Sequence, residues 1–137
     1  MPLYRCIVPP NVTTYEQRAE IAERVTRIHC DVTGGLPLFV HTFFAEDDAG
    51  MLPADKRALM LGSIRAGRTG EQKARLVAEL AQSLARVLDL ADENGVGRYG
   101  RRARTLGDGG RGHPARARRR GGLDREAHLL IAARSKL

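Results

Sequence analysis

The sequence predicts an α+β fold built from a duplicated β-α-β unit, with a four-stranded mixed sheet and two helices on one face. Two amphipathic helical segments, each with a capping pattern at its start, match each other at an offset of 55 residues. The composition changes sharply after the second segment. We therefore expect a domain over residues 1–94, with units at about 2–45 and 56–94, and a basic, Gly/Arg-rich, irregular tail over 95–137.

The first unit is predicted to begin with a strand in the apolar run 3–8 and to continue into a helix. Thr13 or Thr14 can cap the first turn of that helix, and Gly34 ends it. Residues 38–44 then have the composition of a buried strand. Apolar residues recur at spacings of four, three and four along the helix and form one stripe: Ile21, Val25, Ile28 and Val32.

The second unit repeats this arrangement. A capping-box pattern starts at Thr69, and a weak strand is predicted somewhere within 58–66. At the offset of 55 residues, polar and apolar positions of the two helices match together, which chance seldom produces over such a length. The repeat calls for a further strand near Glu93, but the residues that follow it are a poor strand sequence. The apolar face of the second helix consists of Val77, Leu80, Leu84, Val87 and Leu88.

Charge separates the body of the chain from its end. Residues 1–94 hold 11 Lys and Arg against 13 Asp and Glu, whereas residues 95–137 hold 12 against 3 and nine of the fifteen glycines. We expect no membrane span and no secretory leader. The two cysteines form no disulfide framework, so we expect a cytoplasmic protein. No metal-ligand spacing, P-loop or dinucleotide fingerprint occurs, so no metal or cofactor is predicted.

Pro2 is the first candidate catalytic residue, because it directly follows Met1. A small second residue usually permits removal of the initiator methionine, which would leave Pro2 with a free secondary amine. Such an amine can accept a proton, donate one or attack a carbonyl carbon. The structural alternative is that Pro2 only permits processing of Met1.

Arg65 and Arg68 flank Gly67 just before the second helix. With the N–H groups of the first helical turn, their side chains would form a pocket for a carboxylate or a phosphate. The alternative is a pair of solvated arginines in a turn. His29 lies late in the first helix beside the apolar stripe, where a lone histidine is more often a half-buried structural residue. His41, on the following strand, is interpreted as structural.

Together, these features resemble the tautomerase superfamily, and within it the fused-subunit branch that includes cis-3-chloroacrylic acid dehalogenase. The resemblance covers roughly residues 2–94 and is carried by Pro2, His29, the duplicated unit and the segment Ser63–Lys73. It implies an enzyme that acts on a small unsaturated or keto carboxylic acid, by tautomerisation or by hydration or dehalogenation of 3-haloacrylate-like substrates. It also implies a homotrimer and no cofactor.

By this resemblance, the Pro2 amine is the catalytic acid/base. Arg65 and Arg68 bind the substrate carboxylate, and His29 assists by holding that carboxylate or an attacking water. A generic α-amino group titrates near pH 8, and burial beside guanidinium groups lowers such a pKa. The arginines would stabilise an enolate-like transition state.

The tail departs from the family pattern, which continues with a V-W-V strand, an acidic residue and an L-P-x-P-G motif. A shift of reading frame after Asn94 can restore these motifs on paper, so we interpret residues 95–137 as an out-of-frame C-terminus. We then expect residues 98–122 to be irregular, a short helix over 124–133 with Ala127, Leu130 and Ile131 on one face, and an unpaired sheet edge in the second unit.

Two alternative interpretations stay open at this point. The Arg-rich tail is compatible with nucleic-acid binding, although its one aromatic residue, Tyr99, gives little support for base stacking. The altered tail is also compatible with a variant that keeps the fold and has lost activity. Nucleic acid is the less favoured partner, and a small carboxylate substrate is the favoured one.

Overall fold

Five strands form one mixed sheet within the described part of the chain; from one edge to the other they are His41–Glu46, Leu3–Val8, Lys56–Arg65, Glu126–Arg134 and Arg98–Gly100. This computed structural model describes residues 1–48, 50, 52, 56–90, 98–100 and 126–134, and in the last two segments it describes only the side chains of Leu129 and Ile131. The elements are β1 (Leu3–Val8), α1 (Tyr15–Thr33), a 3₁₀ turn (Pro37–Phe39), β2 (His41–Glu46), β3 (Lys56–Arg65), α2 (Gly70–Val87), β4 (Arg98–Gly100) and β5 (Glu126–Arg134).

Strand pairing shows the β-α-β arrangement directly. Strand β1 pairs in parallel with β2, with Leu3 opposite His41, and the connection between them contains α1. On its other side β1 pairs antiparallel with β3, where Leu3 lies opposite Ser63. The two helices pack against each other. The predicted α+β fold with tandem β-α units is therefore confirmed, although the described sheet has five strands and not the predicted four, because the tail adds two of them.

The hydrophobic core lies between the sheet and the two helices. Every second residue of β1 points into it, which is the alternation expected of a strand with one covered face: Tyr4, Cys6 and Val8. The predicted stripe of α1 is buried at Ile21, Val25 and Val32, and Ile28 packs against the core while partly buried. From α2 the core receives Leu76, Val77, Leu80, Ala81 and Leu84.

Each helix begins with a complete capping box. Thr14 accepts a hydrogen bond from the N–H of Gln17, and Thr69 accepts one from the N–H of Gln72. The two glutamines also reach across to the partner helix: the Gln17 amide donates to the Val87 carbonyl at 3.3 Å. The Gln72 amide donates to the Val32 carbonyl at 3.2 Å. These two hydrogen bonds follow the offset found in the sequence, because Gln17 and Gln72 are 55 residues apart, as are Val32 and Val87.

The predicted strand over 38–44 is wrong in its first half. Residues Pro37–Phe39 form a 3₁₀ turn, and β2 begins only at His41. Pro37 has a fixed φ that suits the first position of a helical turn. Leu38 is 81 % exposed, so apolar composition did not indicate burial there. Conversely, the weak strand predicted within 58–66 is a ten-residue strand.

The helix predicted over 124–133 is also wrong, because residues Glu126–Arg134 form β5. This strand pairs antiparallel with β3, so the prediction of an unpaired edge in the second unit is wrong as well. Leu129 and Ile131 are two residues apart and both buried, which is strand periodicity. An open strand edge offers a full row of hydrogen-bonding groups, and pairing with it outweighs a local helical tendency.

The structure describes only residues 98–100 and 126–134 of the tail. Residues Arg98–Gly100 form β4, so this part of the expected irregular stretch is a strand, and the rest of that stretch lies outside the described residues. The strand expected near Glu93 and the domain boundary at residue 94 also lie outside them. The frameshift hypothesis stays a prediction that sequencing of the gene tests. No helix in the described ranges is long and apolar enough to cross a membrane.

Candidate active site

A pocket of ≈ 520 Å³ opens where the start of β1 meets the end of α1 and the end of β3. The Pro2 carbonyl accepts a hydrogen bond from the His41 N–H at 3.2 Å, which holds the start of the chain at the pocket. The four residues predicted from the sequence all line this pocket, although nothing in its geometry alone assigns their roles. Its lining consists of Met1, Pro2, His29, Thr33, Gly34, Gly35, Leu36, Phe39, Arg65 and Arg68.

The end of α1 forms one wall of the pocket. Gly34 adopts a left-handed conformation with φ of 70°, and its N–H donates to the Cys30 carbonyl at 2.8 Å, which ends the helix. The Thr33 hydroxyl donates to the His29 carbonyl at 2.7 Å and accepts from the Gly35 N–H at 3.2 Å. This turn therefore fixes the backbone around His29.

The two arginines form another part of the lining. Arg65 is the last residue of β3 and its side chain is exposed, whereas Arg68 is half-buried in the turn before α2. Gly67 between them has φ of 89°, a conformation that glycine adopts without strain. Arg68 donates from Nη1 to the Thr33 carbonyl at 3.1 Å. Its Nε is buried and has no hydrogen-bond partner within the described residues. The pocket lining thus carries two positive side chains, one of which has a buried donor atom without a partner.

His29 is buried against Tyr4, a residue of β1 two positions after Pro2. The Tyr4 hydroxyl lies 2.7 Å from His29 Nδ1, and the two rings meet edge to face at 5.8 Å between centroids. Burial, and in second place the charge of Arg68, lowers the pKa of His29 from 6.5 to about 4. Burial also raises the pKa of Tyr4. Both side chains are therefore neutral at pH 7.

Gly62 on β3 makes room for this pair. A Cβ at Gly62 would lie 2.8 Å from Cε1 and 3.1 Å from Cδ1 of Tyr4, closer than real Cβ contacts. Gly62 lies directly opposite Tyr4 in the strand pairing. The absence of a side chain at this position leaves space for the Tyr4 ring beside Gly62, from where its hydroxyl reaches His29.

Sequence reasoning missed Tyr4 and the apolar pocket residues Leu36 and Phe39. The available signal for Tyr4 was its place in an alternating strand next to Pro2, on the face that the helices cover. Its bond to His29 joins residues 25 positions apart, which no local pattern reveals. Among the described residues no group of three His, Cys, Asp or Glu is arranged to hold a metal ion.

Several solved structures have a fold similar to that of this chain. The chain is similar to native Ps01740, with 25 % identity and a TM-score of 0.58 over 66 % of this chain and 84 % of that one. It is similar to N1, a member of the cis-3-chloroacrylic acid dehalogenase family, with 26 % identity and a TM-score of 0.56 over 66 % of this chain and 67 % of that one. It also shares its fold with F6 fused 4-OT, a wild-type asymmetric trimer, at 23 % identity and a TM-score of 0.55 over 66 % and 77 %.

The chain has a tautomerase-superfamily fold. Within that superfamily it has the fold of the cis-3-chloroacrylic acid dehalogenase type, as the sequence motifs predicted. These structural neighbours are tautomerase-superfamily members, which supports an enzyme-type activity without specifying the reaction. No protein-family model matches the sequence, and a search of curated proteins gives no match.

Proposed function

We propose that this protein is a tautomerase-type enzyme that uses the amine of Pro2 as acid and base on a small unsaturated or 2-oxo carboxylic acid. The observation that carries the proposal is the presence of Pro2, His29, Arg65 and Arg68 on the walls of one pocket. These residues come from three separate parts of the chain, since Arg65 and Arg68 belong to the same segment. A set of merely structural residues has no reason to converge on one cavity.

Met1 has to be removed for this chemistry. While Met1 is attached, the Pro2 nitrogen is part of an amide and has no lone pair available for a proton. Met1 itself lines the pocket and is 75 % exposed, so an aminopeptidase can reach it. Its removal would free the amine and enlarge the cavity in the same step.

Charge selects an anionic substrate. Arg65 and Arg68 both line the pocket, and their guanidinium groups can together hold a carboxylate by charge-assisted hydrogen bonds. Arg65 at the end of β3 and Arg68 in the turn before α2 line the same pocket. A carboxylate bound there would lie next to Pro2, which shares the pocket.

The proton transfer balances within the substrate and the amine. With phenylpyruvate, the neutral Pro2 nitrogen removes one proton from C3, and the electron pair moves to the oxygen on C2. Arg65, Arg68 and His29 stabilise this enolate. The protonated amine then delivers the proton to that oxygen and yields the enol, so that no atom is gained or lost.

A second substrate class is favoured by the similarity to N1 of the cis-3-chloroacrylic acid dehalogenase family. With a 3-haloacrylate, the protonated Pro2 amine would give its proton to C2 while the oxygen of a water molecule bonds to C3, and the proton that this water loses returns to the amine. The resulting halohydrin loses hydrogen halide and leaves an aldehyde. Both classes use the same amine and the same carboxylate pocket.

We also propose that the active form is a homotrimer. A fused 4-OT neighbour is a trimer, and the edge strand β2 of this chain carries Phe43 with 56 % of its surface exposed. Light scattering coupled to size-exclusion chromatography tests this against the 15.0 kDa mass of one chain. A monomer at micromolar concentration would contradict it. Cytoplasmic location stays a proposal that fractionation tests.

The experiment compares wild type with Pro2→Ala on phenylpyruvate, 2-hydroxymuconate, and cis- and trans-3-chloroacrylate. Pro10→Ala is the matched control, because Pro10 is an exposed proline in the loop after β1. We expect wild type and Pro10→Ala to turn over at least one substrate equally, and Pro2→Ala to lose roughly 10²- to 10⁴-fold. Turnover that survives in Pro2→Ala, or wild type inactive on all four substrates, overturns the proposal.

A further inference from the structure

We propose that Tyr4 is a positioning residue that holds His29 as the tautomer protonated at Nε2, so that His29 donates a hydrogen bond to a substrate oxygen and does not accept a proton from water. The positioning of His29 by Tyr4 is a property of the protein alone, whereas the contact of His29 with a substrate rests on the proposed function.

The first step concerns the proton of the Tyr4 hydroxyl. Tyr4 is fully buried, and His29 Nδ1 at 2.7 Å is its one hydrogen-bond partner among the described residues. If Nδ1 carried the proton and donated it to the phenol oxygen, the hydroxyl hydrogen would be buried with no acceptor. A buried donor without an acceptor is strongly disfavoured. The hydroxyl therefore donates to Nδ1.

The second step follows from the chemistry of imidazole. A neutral imidazole has one protonated and one bare nitrogen, and Nδ1 is the bare one because it accepts from Tyr4. The lowered pKa of His29 keeps the ring neutral near pH 7. The proton must then lie on Nε2, which becomes a hydrogen-bond donor.

The third step places Nε2 at the pocket. A Cβ built on Gly35 would lie 3.6 Å from Nε2 and 3.5 Å from Cδ2 of His29. Gly35 and His29 both line the pocket. The edge of the ring opposite Tyr4 therefore lies beside Gly35 at the cavity, where a side chain in place of the glycine would contact it.

The ligand chemistry follows from these donors. Nε2–H of His29 and the guanidinium groups of Arg65 and Arg68 give the pocket donors from three side chains. They are complementary to an anion with several oxygens close together, such as a 2-oxo carboxylate. In this arrangement His29 polarises an oxygen of the substrate, and the amine of Pro2 carries the proton.

The test uses ¹⁵N-labelled histidine in the full chain and two-bond ¹H–¹⁵N correlation spectra at pH 7. The signals of His29 are assigned by their loss in His29→Gln. We expect a protonated Nε2 and a bare Nδ1 in wild type, and the same in Tyr15→Phe, a matched control whose hydroxyl is on an exposed residue at the start of α1. In Tyr4→Phe we expect a mixture of the two tautomers. Addition of phenylpyruvate should shift the Nε2–H signal of wild type.

Kinetics provide the second readout. We expect Tyr4→Phe to lose about tenfold in kcat/KM, and Tyr15→Phe to stay within about twofold of wild type. A proton on Nδ1, or a charged His29 at pH 7, in the wild-type spectrum overturns the proposal even if Tyr4→Phe does not fold. An inactive wild type with a protonated Nε2 contradicts the proposed function and leaves the role of Tyr4 intact.

Discussion

The two ends of the helix pair are joined in the same way. At one end Gln72 reaches from the first turn of α2 to the Val32 carbonyl in the last turn of α1. At the other end Gln17 reaches from the first turn of α1 to the Val87 carbonyl in the last turn of α2. The candidate active site lies at the first end.

The side chains around these contacts are different at the two ends. At the offset of 55 residues the counterpart of His29 is Leu84, which is buried in the core. The counterpart of Arg68 is Thr13, whose hydroxyl accepts a hydrogen bond from Arg18 at 2.8 Å. Arg18 in turn pairs with Glu46 at 3.3 Å, so its charge is partly neutralised. Among the described residues, the second end therefore has the same helix capping and packing but neither the histidine nor the arginine of the pocket.

The comparison distinguishes residues that stabilise the fold from residues that line the pocket. The capping boxes and the apolar stripes occur at both ends and account for packing. The histidine, the arginine with an unused donor and the adjacent proline occur at one end only. Duplication supplied two similar frames, and a few side chains made one of them a candidate site.

The largest expected effect comes from blocking the amine. One glycine inserted between Met1 and Pro2 should keep the bond from His41 to the Pro2 carbonyl but convert the ring nitrogen to an amide. Turnover should fall roughly 10²- to 10⁴-fold, the usual contribution of a positioned acid or base. Intact-mass spectrometry verifies the new N-terminus. Activity that persists with the insertion in place would move the chemistry away from Pro2.

The next effect compares an arginine from each end. Arg68→Ala should raise KM and lower kcat/KM by roughly 10- to 100-fold, because a charge-assisted bond to the substrate carboxylate is lost. Arg18→Ala removes the same side chain at the end without the site and should change kcat/KM by less than about twofold. Steady-state kinetics on one carboxylate substrate decide this. Equal losses in the two variants would mean that Arg68 acts only through stability.

A pH effect on stability should appear at one end only. His29 has a pKa of about 4 in the folded protein, lowered from 6.5, so the unfolded chain binds more protons between these values. The free energy of unfolding should therefore fall as the pH drops from 6.5 to 4.5, by about 2 to 3 kcal/mol from this residue. Urea denaturation at both pH values measures it. In His29→Leu, which copies the residue at the other end, this part of the pH dependence should vanish; an unchanged dependence would assign it to other groups.

The smallest effect separates the two glutamines. Gln17→Ala and Gln72→Ala should each lower the free energy of unfolding by about 1 kcal/mol, since each loses one capping bond and one bond to the partner helix. Only Gln72→Ala should change KM, by less than about threefold, because Val32 precedes the pocket residue Thr33. Denaturation and kinetics on the same preparations test both halves. A change in KM for Gln17→Ala would contradict the independence of the two ends.

The helices and the pocket residues could be predicted from the sequence because their signals are local. Thr69 and Gln72 lie within one turn, and Pro2, His29, Arg65 and Arg68 follow a recognisable spacing. The contact from Tyr4 to His29 could not be predicted in this way, because it depends on how β1 packs beneath α1.

Strand β5 could not be predicted from the sequence for a similar reason. Its residues have enough helical tendency to suggest a short helix, and only the free edge of β3 makes the strand the better solution. Leu38 and Phe39 show the opposite error, since their apolar side chains suggested a buried strand where the chain makes an exposed turn. Long-range pairing and exposure are properties of the assembled fold.

The most direct test of the central claim is covalent labelling with 2-oxo-3-pentynoate. A free Pro2 amine held next to the arginines should add to the conjugated alkyne of this 2-oxo acid, with the proton transferred to the neighbouring carbon and no group lost. We expect intact mass to increase by one reagent, with the label on Pro2 by peptide mapping, fast in wild type and Arg18→Ala and slow in Arg68→Ala. A chain that keeps Met1, or a label carried by Cys30 or a lysine in place of Pro2, would contradict the account.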